Sequence, residues 1–308
     1  MDIVMLGHSS AGKTTYMAAL YHLMGNGLYD YKMWYDKWVN YFYKRYTLNN
    51  MYYTINEAEK EELELKRLSI DISNGKYPLS TAIKQEYILK MQYKHYKEIQ
   101  FNWFDYRGGA LMERSSQSDD TASLMTKIKC SDALVVFLDG TKLEEPLSKN
   151  EKEFKRLVYL IKATMSCISI ESERYFPISF VITKDDLCSD VLNSVGFEYF
   201  RKNILDDIIH SNKIAGLVTW TTVDGKHIYN VHWPLFFSIA YCWHKFDDEV
   251  VNAYQKREKN RGFFGTIKEM WTDNDKDATT QVRNELKNSA MYLAQIINEK
   301  NGNCLYLI

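Results

Sequence analysis

The sequence of 308 residues lacks the features that mark secreted, zinc-binding and membrane-spanning proteins. Its five cysteines are scattered and form no C-x-x-C pair, which favours reduced thiols in a cytoplasmic protein. The seven histidines show no metal-ligand spacing. The longest wholly apolar runs, such as residues 133–138, are far too short to cross a bilayer. We therefore expect a cytoplasmic protein without a transmembrane segment.

An excess of charge of either sign is also missing. The formal net charge is −1, so electrostatics give no reason to expect nucleic acid or an anionic membrane as a partner. A signal peptide is not expected, because the first apolar run already begins at Ile3. The sequence shows no internal repeat and no low-complexity linker. We expect a single domain with insertions at about residues 25–75, 215–232 and 245–275.

The chain does contain a glycine loop near its start. The stretch Gly7-His8-Ser9-Ser10-Ala11-Gly12-Lys13-Thr14-Thr15 fits the phosphate-binding pattern G-x-x-x-x-G-K-[ST]. An apolar run at 3–6 precedes the loop, and a stretch of helical character at 16–21 follows it. The surroundings therefore predict the strand, loop and helix that this pattern requires.

The residue types of this loop suit a bound phosphate. Gly7 and Gly12 allow backbone N–H groups to wrap around it without Cβ clashes. The start of the following helix adds partial positive charge. Lys13 would reach the β- and γ-phosphates, and Thr14 would hold Mg²⁺ through its hydroxyl. The nucleotide contacts expected from the loop are Gly7, Ser10, Ala11, Gly12, Lys13, Thr14 and Thr15.

Apolar runs and helical spacings alternate along the rest of the chain. Strands are predicted at 83–93, 99–105, 133–138, 176–182 and 235–240. This order predicts a three-layer, doubly wound α/β domain with a mostly parallel sheet and helices on both faces. The strands at 83–93 and 99–105 are expected to form an antiparallel edge, and 218–223 is expected to pair with 226–231 as a hairpin.

The insertion after the first helix is expected to be helical. Aromatic residues crowd positions 28–54, and Trp34, Trp38 and Tyr41 fall at helical spacing. Two interpretations stay open. The segment is either a helix packed on its own domain or a surface for a partner, since clustered aromatic side chains suit interfaces.

Three further motifs are predicted at strand ends, where ligands bind in such sheets. Asp105-Tyr106-Arg107-Gly108 fits D-x-x-G, in which the aspartate assists Mg²⁺ and the glycine N–H contacts the γ-phosphate. Thr183-Lys184-Asp185-Asp186 fits [NT]-K-x-D. The carboxylate of Asp186 can accept two hydrogen bonds from guanine, and Lys184 can lie over the base. Ser238-Ile239-Ala240 loosely resembles a serine-alanine guanine loop.

Together these motifs resemble the translation-factor-related class of P-loop GTPases, which includes the small Ras-like proteins. The antiparallel edge strand before D-x-x-G also belongs to that class. The resemblance covers the core strands and motifs but not the three insertions. The glycine loop and residues 105–109 also look like those of bacterial stand-alone or "double" GTPases linked to conflict and defence systems.

The resemblance implies a threonine in a first switch loop that binds Mg²⁺ and senses the γ-phosphate. Thr81 matches that position, with Ser80 as the alternative. One departure concerns hydrolysis, because many of these GTPases place a water-orienting glutamine directly after D-x-x-G. Here Gly109 stands at that position, and Arg107 is the residue that would supply positive charge within the chain.

The function expected from the sequence is Mg²⁺-dependent binding of GTP and GDP, with slow hydrolysis that switches a partner protein. The expected catalytic residues are Lys13, Thr81, Arg107 and Gly108, and the expected metal ligands are Thr14, Thr81 and Asp105. Faster turnover would need an activating protein or self-association. The alternatives are an interaction module that holds a nucleotide without useful turnover, and an ATPase or nucleotide-type kinase.

Overall fold

The structure, a computed structural model, describes residues 1–8, 10–42, 55–78, 85–94, 98–105, 119–145, 147–168, 175–211, 213–225, 227–243, 269–302 and 305–308. Its strands are β1 (Asp2–Gly7), β2 (Tyr31–Tyr35), β3 (Gln85–Tyr93), β4 (Ile99–Asp105), β5 (Ala133–Asp139), β6 (Phe176–Thr183), β7 (Ile214–Trp220), β8 (Thr222–Val223), β9 (Ile228–Tyr229) and β10 (Leu305–Leu307). Eight of them form one sheet in the order β10-β7-β6-β5-β1-β4-β3-β2, and β8 pairs with β9 in a separate hairpin.

Helices fill most of the connections between these strands. They are α1 (Lys13–Gly25), α2 (Lys37–Phe42), α3 (Ile55–Ser73), α4 (Asp119–Cys130), α5 (Gly140–Glu144), α6 (Leu147–Cys167), α7 (Val195–Phe200), α8 (Asp206–Ile209), α9 (233–243, where this described range ends) and α10 (Glu269–Lys300). Short 3₁₀ turns at Asp185–Leu187 and Val191–Asn193 follow β6.

The middle of the sheet is parallel. Strands β7, β6, β5, β1 and β4 all run in the same direction. Every residue of β5 and β6 is buried, as expected for parallel strands that are covered by helices on both faces. Antiparallel strands flank this centre, with β3 and β2 on one side and β10 on the other.

Side chains that alternate along β1 supply two separate cores. Ile3 and Met5 pack on one face with residues of α1, α3, α9 and α10. Val4 and Leu6 pack on the other face with residues of α4 to α8. The period of two along the strand produces this division. The predicted three-layer α/β architecture, with its antiparallel pairing of β3 and β4, is therefore confirmed.

The predicted last strand is wrong. Residues 235–240 belong to α9, and the last parallel strand is β7, which lies beside β6. Pro234 lies in the first turn of α9, where its missing N–H and fixed φ are tolerated. The run that follows is apolar throughout, and such a run does not distinguish a buried strand from a buried helix. The predicted pairing of 218–223 with 226–231 is only partly right. Residues 218–220 belong to β7 and pair with β6, and the hairpin joins Thr222–Val223 to Ile228–Tyr229.

The aromatic insertion also differs from the expectation. Tyr31–Tyr35 forms β2, the outermost strand of the sheet, so Trp34 does not share a helix with Trp38. The burial of β2 alternates, with Tyr31, Met33 and Tyr35 inside. The rings of Tyr31 and Tyr35 therefore pack within their own domain, although on a strand and not on the expected helix, whereas Trp38 is 58% exposed. Residues 43–54 lie outside the described part of the chain.

Aromatic packing fixes α1 on the sheet. The ring of Tyr16 stacks on Trp103 at 6.2 Å and meets the edge of Phe137 at 4.8 Å between centroids. Since Tyr16 is in the first turn of α1, these contacts position the start of that helix above β1, β4 and β5. In the described part of the chain, no helix is long and apolar enough to cross a membrane.

Candidate functional site

The loop between β1 and α1 depends on two glycines for its course. A Cβ on Gly7 would lie 2.9 Å from the Cβ of Phe137, so a side chain there would collide with β5. Gly12 has a φ of +81°, in the left-handed region that favours glycine. The N–H of Ala11 donates to the carbonyl oxygen of His8 at 3.2 Å and closes the turn. The chain therefore bends back sharply just before α1 begins.

Lys13 fills the centre of this loop. Its Nζ donates to the carbonyl oxygens of Gly7 and His8 at 3.2 and 3.1 Å. The side chain is buried, and burial lowers the pKa of Lys13, while the negative charge of Asp105 raises it. The ammonium group is thus held by the backbone that a phosphate would approach.

Asp105, the last residue of β4, faces this lysine. Its Oδ2 accepts a 3.4 Å hydrogen bond from the Thr14 hydroxyl, and Oδ1 has no partner among the described residues. The carboxyl is only 1% exposed. Burial raises the pKa of Asp105 to about 6, and the nearby charge of Lys13 and the Thr14 hydrogen bond oppose that shift. A buried carboxylate oxygen without a hydrogen bond is costly unless a ligand or ion completes it.

These oxygen atoms fit a magnesium ion. Mg²⁺ is usually held by one or two protein oxygens together with water and phosphate oxygens. The Thr14 hydroxyl and the orphaned oxygen of Asp105 provide such a pair at the mouth of the glycine loop. In the described ranges, no cluster of three or more His, Cys, Asp or Glu side chains is arranged to hold a metal ion.

The stretch Thr183-Lys184-Asp185-Asp186, called the second motif from here on, is joined to the glycine loop by hydrogen bonds. The hydroxyl of Thr183, at the end of β6, lies 3.1 Å from the carbonyl oxygen of Ala11 and 3.2 Å from that of Leu138. Lys184 adopts a left-handed backbone with φ +59°. Its ammonium pairs with Asp139 at 2.5 Å, while Asp139 also caps α5. The Asp186 side chain, two residues after Lys184 along the chain, is exposed.

The expected guanine loop is not at Ser238. That residue is buried inside α9, and its hydroxyl donates to the carbonyl oxygen of Pro234 at 2.7 Å. Thr221, directly after β7, lies next to the second motif instead. Its N–H donates to the carbonyl oxygen of Ile182 at 2.7 Å, and its own carbonyl oxygen accepts from the N–H of Asp185.

Sequence reasoning missed Thr221 and Asp139. Asp139 is the last residue of β5, and Thr221 directly follows β7. The position at a strand end was therefore the feature of the sequence that could have identified both. Asp139 was identifiable from the fully apolar run before it, whereas Thr221 was obscured by the misplaced last strand.

The remaining expected residues lie outside the described part of the chain. They are Ser80, Thr81, Arg107, Gly108 and Gly109. Their roles at the γ-phosphate and at the attacking water stay predictions. Ser10, Thr14 and Thr15 are described and lie at the loop and the first turn of α1, as expected.

Comparison with known proteins identifies no family. No family model matches the chain, and a search of curated proteins found no relative.

Proposed function

We propose that this protein binds GTP and GDP with Mg²⁺, hydrolyses GTP slowly, and acts as a nucleotide switch for a partner protein. The convergence of Lys13, Thr14 and Asp105 around the glycine loop is the observation that carries this proposal. Lys13 and Thr14 lie at the start of α1, whereas Asp105 ends β4, 91 positions after Thr14. The Lys13 ammonium, the Thr14 hydroxyl and the carboxylate oxygen of Asp105 without a hydrogen bond therefore lie together at the glycine loop.

Each group has a role in holding a nucleotide. Lys13 would exchange its contacts with Gly7 and His8 for the β- and γ-phosphate oxygens. Backbone N–H groups at the start of α1 would surround the phosphates. Thr14 and Asp105 would hold Mg²⁺, which neutralises phosphate charge when bound.

Base selection is assigned to the second motif. Asp186 is exposed and available to accept two hydrogen bonds from the guanine edge. The Thr183 hydroxyl bonds connect this motif to the phosphate loop, which supports a single site spanning both. Lys184 would lie over the base after leaving Asp139, or keep that ion pair and hold the turn in shape.

Slow turnover follows from the residue at the position after D-x-x-G. Gly109 has no side chain with which to orient water. Lys13, the metal and the Gly108 N–H would stabilise charge at the γ-phosphate, and Arg107 would add to it. An effector, an activating protein or a second copy of the chain would then regulate the rate. The scattered cysteines support a cytoplasmic location for this cycle.

Nucleotide identity and turnover test the proposal together. The purified protein should bind GDP and GTP in preference to ADP and ATP, and it should release phosphate from GTP slowly. Binding of guanine nucleotides without any phosphate release would favour the interaction module. Equal affinity for ATP and GTP would favour the ATPase or kinase alternative.

A further inference from the structure

The chain after α3 ends in a turn that reaches the candidate base site. Two backbone hydrogen bonds cap the end of α3. The N–H of Gly75 donates to the carbonyl oxygen of Ile72, and the N–H of Lys76 donates to that of Asp71. Gly75 has φ +74°, as the first residue beyond a helix often does in this capping arrangement. The turn of residues 74–78 is therefore set by local bonds as well as by what it touches.

Two contacts join this turn to the β8–β9 hairpin. The hydroxyl of Tyr77 donates to the carbonyl oxygen of Val223 at 3.0 Å. Gly225, near the tip of the hairpin, is packed so closely that a Cβ there would lie 2.5 Å from the Cα of Gly75. The backbones of two segments about 150 residues apart in sequence thus meet directly, with Tyr77 beside them.

The same hairpin is connected to the second motif. The carbonyl oxygen of Thr221, just before β8, accepts from the N–H of Asp185 at 3.3 Å. Burial raises the pKa of Tyr77, and the nearby charges of Asp186 and Asp224 raise it further. The Tyr77 side chain is also 53% exposed. The Tyr77 hydroxyl therefore lies on the same side of the hairpin as Asp186, which would hold the base.

From these contacts we infer that the turn 74–78 and the hairpin 222–229 form a latch beside Asp186, and that this latch sets how long a guanine nucleotide stays bound. The inference rests on the proposed function. Tyr77 is a positioning residue in it, because it acts by holding the turn and the hairpin together. Loosening the latch should act chiefly on dissociation, as most changes to a formed complex do.

Two pairs of variants test the latch. Tyr77→Phe removes only the hydroxyl that bonds Val223. Tyr159→Phe is its control, because Tyr159 is 69% exposed on α6, outside the latch, and no hydrogen bond to its hydroxyl occurs among the described residues. Gly225→Ala forces a Cβ against Gly75. Gly302→Ala is its control, because Gly302 has a similar φ of +84° and open space around the position of a Cβ.

The measurement is the release of a fluorescent GDP analogue after addition of excess unlabelled GDP, with and without EDTA. Tyr77→Phe should release the analogue about two- to tenfold faster than the wild-type protein, the range expected for one lost neutral hydrogen bond. Gly225→Ala should also release it faster, and both controls should match the wild type. EDTA should accelerate release by a similar factor in every protein, because neither substitution alters Thr14 or Asp105, the side chains that would hold the metal.

The outcomes separate the latch from the proposed function. If the wild-type protein binds the analogue and both test variants release it at the rate of their controls, the latch is wrong and the proposed function stands. If the wild-type protein binds no guanine nucleotide, both are wrong. If Gly225→Ala does not fold, Tyr77→Phe, which leaves the backbone free of clashes, decides the question alone.

Discussion

The hydroxyl of Thr183 lies 3.1 Å from the carbonyl oxygen of Ala11, so the end of β6 is joined to the glycine loop by a direct hydrogen bond. The two residues are 172 positions apart in sequence. The bond connects the part of the site assigned to phosphate with the part assigned to the base. A change at either end is therefore expected to affect the other.

Replacement of Thr183 by valine should test that connection. Since the hydroxyl has one hydrogen, its removal takes one hydrogen bond from the carbonyl oxygens of Ala11 and Leu138, at a cost of about 1–3 kcal/mol. Thermal or urea unfolding should show the loss, and GTP affinity should fall with it. Ser179→Ala is the matched control on the same strand, because the buried Ser179 hydroxyl has no partner within the described residues. That variant should be as stable as the wild type or more so, and equal destabilisation by both changes would contradict the account.

Replacement of Asp105 by asparagine should separate stability from function. The pKa of folded Asp105 is about 6, above the ordinary value of 3.8, so the folded protein holds this proton more tightly than the unfolded chain. The free energy of unfolding should therefore fall as the pH rises from about 4 to about 6 and should stay lower above that range.

Asp105→Asn removes this penalty. Its stability relative to the wild type should increase across the same pH range, by no more than about 3 kcal/mol, in protein free of metal and nucleotide. The gain is reduced because Lys13 loses its neighbouring charge. Urea unfolding at several pH values measures the difference. Mg²⁺-dependent tightening of GTP binding should disappear in the same variant, and a variant that keeps it would exclude Asp105 as a metal ligand.

The positions of Lys13, Thr14 and Asp105 could be predicted from the sequence because each belongs to a short motif beside a buried strand. Parallel strands carry their ends to one edge, so the order of motifs along the chain was enough to bring them together. The prediction that Ser238 lies at a strand end was wrong for the opposite reason. Its motif was loose, and the apolar run containing it fits a buried helix as well as a strand.

Long-range backbone contacts were beyond the reach of sequence patterns. Nothing local to Gly75 or Gly225 indicates that their backbones meet, since each reads as an ordinary turn glycine. Tyr31, Met33 and Tyr35 alternate with other residues in the sequence as they alternate in burial along β2, but the helical spacing of Trp34 and Trp38 favoured a helix. The competing period led to the wrong element.

Replacement of Asp186 by asparagine should change base preference. The wild-type carboxylate is expected to accept two hydrogen bonds from guanine, and a mismatched group in such a site costs about 1–3 kcal/mol. Competition binding should show affinity moving from guanine to xanthine nucleotides. Asp190→Asn, at an exposed position of the following turn, is the control and should keep the guanine preference. If both variants behave alike, Asp186 does not read the base.

Turnover should depend on a partner or on Arg107. The isolated protein should hydrolyse GTP slowly because Gly109 cannot orient water. An arginine supplied by another molecule accelerates GTPases by roughly 10³–10⁵, so a rate that rises with protein concentration would indicate self-association. If Arg107 acts within the chain, Arg107→Ala should lower the basal rate with little loss of GTP affinity. Fast turnover that is independent of both would show that another residue positions the water.

Calorimetric titration of GTP with Mg²⁺ into the wild-type protein and into Lys13→Ala shows whether the glycine loop binds phosphate. Lys13 is held at the centre of the glycine loop by the carbonyl oxygens of Gly7 and His8. Lys202→Ala, an exposed lysine on the opposite helical layer, serves as the control. We expect binding to the wild type and to the control, and a large loss of affinity in a folded Lys13→Ala. Unchanged GTP affinity in that folded variant would contradict the assignment of the loop as a phosphate site.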